Sequence, residues 1–301
     1  MKCGVWIRRL ASRLLAVMAL IVLLAVVYFF AIRPSQLRWG ATEQEAARAM
    51  PGDELVPVPS FRATRAITIQ GTPQEIWPWL AQMGYNRAGF YGYDLIENVG
   101  ARTGMRSADR ILPELQHPKP GDVLPISSVA SMYFGQIETG NYLIWRGATT
   151  PTDGCFTWAL VPIDGTHTRL ISRIRLRYHW SSSRLLPLDI FTELADHVAV
   201  PRILRGIKGL VEGRPTPSLA EEAAEIAVWL LAVAEFAVAL VLVFRWRRWG
   251  RAWFMGLAAG FLLQFVLYGH APVWVGALLS CILCGWMLFV PRKEVGSSTP
   301  G

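Results

Sequence analysis

The side chains able to do acid–base, nucleophilic or metal chemistry are few and scattered. The five histidines stand at positions 117, 167, 179, 197 and 270. Glu193 and His197 are four apart, so a helix would place them on one face. A zinc site needs further ligands at evident spacing and none appears, which leaves a surface ion pair as the expectation. Cys281-x-x-Cys284 has redox or zinc spacing, yet it sits in an apolar run, where two small residues three apart serve as packing contacts. Asp94 with Glu97, or Asp109 with Arg110, have the types for acid–base work at a cavity mouth, but loop or cap roles are the expectation for them. No G-x-S-x-G elbow, P-loop or dinucleotide fingerprint is present. No catalytic residue, metal ligand or cofactor is assigned.

Binding chemistry has more to work with. The stretch GYNRAGFYGYD, residues 84 to 94, holds four aromatic rings among three glycines, with Arg87 and Asp94 as its charges. Glycines permit turns and rings seek burial. Tyr85, Phe90, Tyr91 and Tyr93, with Trp77, Trp145, Trp158 and Phe191 from neighbouring elements, are the candidate ligand contacts. Which rings fill the core and which face a ligand stays open.

The elements that must position these residues fall into two kinds. The chain has 301 residues, 52% hydrophobic and 17% charged, and the apolar excess lies at its ends. Residues 14–32 carry no charge and, at about 1.5 Å per residue, match a hydrocarbon core of roughly 30 Å. The run is long for a signal peptide and ends in a poor cleavage context, so it reads as an uncleaved anchor. Residues 226–244, 252–268 and 273–290 are further candidates, giving four spans. Basic residues cluster before the first span (1–13), between the second and third, and in the tail 291–301. With four spans all three clusters share one side, so both termini are expected in the cytoplasm and the middle domain outside it, at the plasma membrane. The formal charge of +8 is largely this topology signal, and no nucleic-acid motif accompanies it. Glu235 lies mid-span, where a neutral side chain bonded to Gln264 is expected. Gly256-x-x-x-Gly260 suggests close helix packing.

The polar middle begins with a connector, 33–62, in which Thr42-Glu43-Gln44-Glu45 fits a capping box. Residues 63–70 read as a strand. Thr72-Pro73-Gln74-Glu75 opens a helix to about Met83, and 91–100 suggest a second short one. Strands follow near 122–126, 131–138, 141–147, 155–162 and 167–178. In the last, Arg169, Arg173, Arg175 and Arg177 share a face, either a solvated outer surface or a row for anionic lipid headgroups. From Pro187 to Glu212 the period is helical, with Pro201 expected to kink or split the helix.

ATRAITIQGTPQEIWPWLAQMGYNRAGFYGYD, SADRILPELQHPKPGDVLP and LRGIKGL resemble the SRPBCC superfamily, the START and Bet v 1-like, polyketide cyclase-like helix-grip fold. The resemblance covers residues 63–214. It implies an α+β domain, a curved antiparallel sheet around a long C-terminal helix, enclosing a cavity for lipids or other hydrophobic small molecules. With the spans added, the expectation is an integral membrane protein whose domain binds such a ligand for carriage, sensing or presentation. A cyclase- or hydrolase-like enzyme using the same cavity is the alternative. A structural or partner-binding membrane protein without ligand is the second; protein partners are not specified.

Overall fold

Alternation of apolar and polar side chains, the signature of a half-buried strand, produces six strands. They are Phe61–Gln70 (β1), Val123–Pro125 (β2), Ser131–Glu138 (β3), Tyr142–Arg146 (β4), Thr152–Pro162 (β5) and His167–Tyr178 (β6). All pairings are antiparallel, in the order β1-β6-β5-β4-β3-β2. The structure, a computed structural model, describes residues 2–147, 152–179, 186–246, 249–269 and 271–289. His270, Arg247, Arg248 and the expected tail 291–301 lie outside the described residues.

The helices are Lys2–Val27 (α1), Arg33–Leu37 (α2), Glu43–Ala47 (α3), Pro73–Gln82 (α4), Asp94–Glu97 (α5), Leu186–Val211 (α6), Leu219–Arg245 (α7), Trp249–Tyr268 (α8) and Val273–Phe289 (α9). Both expected capping boxes form, at Thr42/Glu45 and Thr72/Glu75. The expected helix over 91–100 shrinks to one turn. Pro201 does not split α6, which runs unbroken through it.

Two compact units result. Ile32–Ala223 holds the sheet, and the segments up to Ala31 and from Ala224 on form the other. The first unit is an α+β body, its six-stranded antiparallel sheet and long α6 consistent with a helix-grip-like architecture. Its main core lies between the sheet and helices α4 and α6, built from Trp77, Leu80, Phe90, Trp145, Trp158 and Leu204 among others.

The outer face of the sheet corrects both readings of the arginine row. Arg173 and Arg175 are 1% and 7% exposed. The Arg173 guanidinium donates to the carbonyls of Glu45, Ala46 and Arg48, Thr64 Oγ1 and the Asp53 carboxylate, all within 2.7–3.1 Å. It thereby satisfies the open carbonyls at the end of α3. Arg175 reaches the carbonyls of Val56 and Pro57, and Arg169 pairs with Glu45 at 2.7 Å. The connector lies over this face, and only Arg177 of the row is exposed.

The Glu193–His197 pair is not a surface pair either: His197 is buried and Glu193 half-buried. His197 is 0% exposed, with Nε2 facing Glu193 at 3.5 Å and Nδ1 2.7 Å from Arg65 Nη2. A guanidinium only donates, so Nδ1 accepts and the ring proton sits on Nε2. Arg65 is paired with Asp196 at 2.6 Å, and Arg33 grips Glu193 with two bonds of 2.5 and 3.0 Å.

Among the described residues three helices are long and apolar enough to cross a membrane, Val5–Leu37, Leu219–Arg245 and Trp249–Tyr268. This corrects the count of four. The 17 residues of α9 reach about 26 Å at 1.5 Å per residue, short of a hydrocarbon core of about 30 Å. The argument that set both termini on one side goes with it. In this unit, a side chain on Gly256 or Gly260 would run into Leu20 or Leu24 of α1, so the small residues serve the close packing expected. Glu235 bonds Cys284 Sγ at 3.1 Å, not Gln264. That places the C-x-x-C cysteine in a helix contact one element further on.

Candidate ligand-binding site

A cavity of about 600 Å³ opens where edge strand β1 meets the C-terminal half of α6. Spacing along α6 makes it. Arg202, Arg205, Gly206 and Gly209 recur at three- and four-residue intervals and share one helix face. The two glycines remove bulk from that face. At Gly206 an added Cβ would overlap the carbonyl oxygen of Tyr91, so the 91–94 segment rests directly on the helix backbone. Lys208 Nζ donates to the Thr68 carbonyl at 2.6 Å and ties α6 to β1.

The opposite wall is the glycine- and ring-rich stretch. It turns tightly because Asn86, Gly89 and Tyr91 adopt positive φ (57°, 77° and 64°). Positive φ is costly for an aromatic residue. Tyr91 is held there at both ends: its N–H donates to Ser107 Oγ at 3.1 Å and its hydroxyl to the Trp79 carbonyl at 3.2 Å, while Gln82 donates to that hydroxyl at 2.9 Å. Burial pushes the Tyr91 phenol well above its ordinary range. Ser107 passes its own proton toward Asp94 at 2.6 Å, and Asn98 donates to the same carboxylate at 3.0 Å.

The lining is mixed. Ile67, Ala108, Leu210 and Trp39 give it apolar surface, while Arg106, Arg169, Arg202, Arg205, Lys208 and Arg214 give it positive charge, against Asp94 and Glu222. Arg202 lies over the Tyr93 ring at 4.8 Å and Arg205 over Trp39 at 5.8 Å. Behind Gly92, where a side chain would overlap its carboxylate, Glu97 is pushed up to about 7, first by burial and then by Asp94 and Glu222. Among the described residues no three His, Cys, Asp or Glu gather into a metal site.

The candidate aromatics are divided. Trp77, Tyr85, Phe90, Tyr91, Trp145 and Trp158 lie in the main core. Phe90 packs edge-on against Trp145 at 6.3 Å, and Trp145 lies tilted against Trp158 at 5.3 Å. The indole N–H groups of Trp145 and Trp158 are buried without a hydrogen-bond acceptor. Of the eight, Tyr91 lines the cavity. Tyr93 is buried beneath Arg202, and Phe191 is 68% exposed. The cationic lining went unassigned in the sequence, although the arginine, glycine and lysine spacing of RILRGIKGL on one helix was a usable signal.

No family model matches the chain, and no curated protein matches it. Solved structures similar to it include protein MLL2253 from Mesorhizobium loti, 15% identical over 52% of this chain and 99% of that one, TM-score 0.31. The Zhui aromatase/cyclase from Streptomyces sp. R1128 is 13% identical over 50% and 93%, TM-score 0.31. A Thermus thermophilus protein, TTHA0849, is 12% identical over 51% and 98%, TM-score 0.28. Likenesses this weak carry no argument about what the cavity holds.

Proposed function

We propose that the chain is a membrane-anchored binding protein of SRPBCC-like type, whose domain takes a lipid or other largely apolar small molecule into the cavity between β1 and α6. The supporting observation is that cavity. Its volume of about 600 Å³ falls in the range of small-molecule sites, and its lining combines apolar side chains with charged ones. The buried rings form its structural backing, and Tyr91 is the candidate aromatic in contact with the ligand. The domain stands outside the cytoplasm, with residues 1–13 and the 245–251 segment on the cytoplasmic side, because basic residues gather there. Mass spectrometry of molecules that co-purify with the full chain, beside an Ala108→Trp variant that narrows the cavity, tests the binding reading. A molecule retained by the native chain and lost from the variant is expected; equal recovery from both sinks it.

The hydrogen bond from Ser107 to Asp94 in the lining supports a second reading, acid–base turnover of the bound molecule. In that case Asp94→Asn changes which compound co-purifies. If it changes only the amount, turnover is rejected.

A further inference from the structure

Resting on the anchored part of that reading, we infer that the N-terminal half of α6 is a further membrane contact, its outer face seated among the acyl chains at the surface of the bilayer. This half of the helix is turned inside out. Glu193, Asp196 and His197 recur at three- and four-residue intervals and share one face. That face points inward: Asp196 and His197 are buried and Glu193 half-buried, joined to Arg65 and Arg33. Leu188, Phe191 and Ala195 share the opposite face, with Ile190 and Leu194 at its margin. Leu188, Ile190, Phe191 and Ala195 are exposed. A helix on the surface of a water-facing domain has the reverse arrangement, apolar side in and charges out. Apolar side chains exposed singly need no explanation, but a contiguous patch marks an interaction site.

What covers the patch follows from where it is held. Arg33 is the first charge after the uncharged run 14–32, so it marks the edge of the hydrocarbon. It grips Glu193 with two bonds of 2.5 and 3.0 Å. Arg65 adds a second tie, between Asp196 at 2.6 Å and the Gln36 carbonyl at 2.9 Å. Phe191 and Leu188 precede Glu193 by two and five residues, about 3 and 8 Å along the helix axis at 1.5 Å per residue. The patch is thus held at the level where an interfacial helix buries its apolar side in lipid. Cover by a second copy of the chain would not require that level; the tie to Arg33 favours lipid. Phe191, expected from the sequence to touch a bound molecule, is thereby assigned to the bilayer.

The test places one nitroxide at a time on the full chain in phosphatidylcholine nanodiscs, with the native cysteines replaced by serine. The sites are Leu188→Cys, Phe191→Cys, Val22→Cys in the first apolar run, and Ile163→Cys, an exposed apolar residue at the far end of β6. Collision rates with oxygen, which concentrates in lipid, and with a water-soluble nickel chelate are read by electron paramagnetic resonance. The oxygen-to-nickel ratio at 188 and 191 should exceed that at 163 several-fold and approach that at 22. Should either α6 variant fail to fold by circular dichroism, Ile190→Cys takes its place. Ratios at 188 and 191 equal to that at 163, with 22 still lipid-like, overturn this inference and leave the anchored reading standing. Low collision rates with both reagents at 188 and 191 show a protein cover, a second copy or a partner, and overturn it too. A water-like ratio at 22 overturns the anchored reading and this inference together.

Discussion

Arg173 shows how far a single side chain can carry a structure. Its guanidinium, itself 1% exposed, holds three carbonyls and a carboxylate of the connector. Arg173→Met should therefore cost about 3–5 kcal/mol, the usual penalty for breaking a buried ionic group, whereas exposed Arg177→Gln should stay within about 0.5 kcal/mol. Chemical unfolding of the two variants followed by circular dichroism makes the comparison. Glu97 gives a pH signature of opposite character. Its carboxyl is raised from an ordinary 4.5 to about 7 in the fold, so the native state holds the proton more tightly than the unfolded chain. The Glu97 contribution to stability should be fullest below about 4.5, fall as pH climbs to about 7, and stay reduced above. Glu97→Gln removes the loss, so its advantage in melting temperature over the native chain should be near zero at pH 4 and clear at pH 8. An equal advantage at both values rejects the assignment.

At the scale of elements, the contact between α6 and the 91–94 segment depends on Gly206. Gly206→Ala places a methyl against the Tyr91 carbonyl, backbone against backbone, and should destabilise by about 1–3 kcal/mol. Gly209→Ala, where an added Cβ comes no closer than 3.9 Å to Arg214, is the matched control in thermal unfolding. The strands and both capping boxes were legible in the sequence because they are local: a period of two, or four residues in a row. The arginine row was misread for the same reason. Alternation reports which residues share a face but not what covers it, and the covering segment lies more than a hundred residues earlier in the chain. The burial of His197 was hidden likewise, since Arg65 and Asp196 meet only through the packing of β1 against α6. Within the site, the sequence offered rings, and most of them became core. Half of the cavity's cations came from one helix, α6, whose spacing was visible, and the rest from segments whose approach to it was not.

At the scale of the whole molecule, the chain divides into an α+β body and a unit of apolar helices, and the proposed function assigns the first to a ligand and the second to a bilayer. Arg177→Cys and Arg251→Cys, placed one at a time in a chain whose native cysteines are replaced by serine, test the proposed sidedness. A membrane-impermeant maleimide applied to intact cells should label the first and spare the second. The reverse pattern places the domain in the cytoplasm.

The sheet order also fixes a sequence of events in time. β1 is made early, just after the first apolar helix, yet its neighbour in the sheet is β6, with Phe61 opposite Leu176. Strands β2 to β6 join neighbour to neighbour and can zip locally, but β1 must wait for the last of them, closing the largest loop in the domain. On a ribosome feeding a membrane, the early end of the chain therefore holds an unpaired strand until His167, the partner of Gln70, begins to emerge, and the pairing is complete only after Leu176. Through that interval β1 is an open edge, and factors that shield nascent strands would act on this protein there.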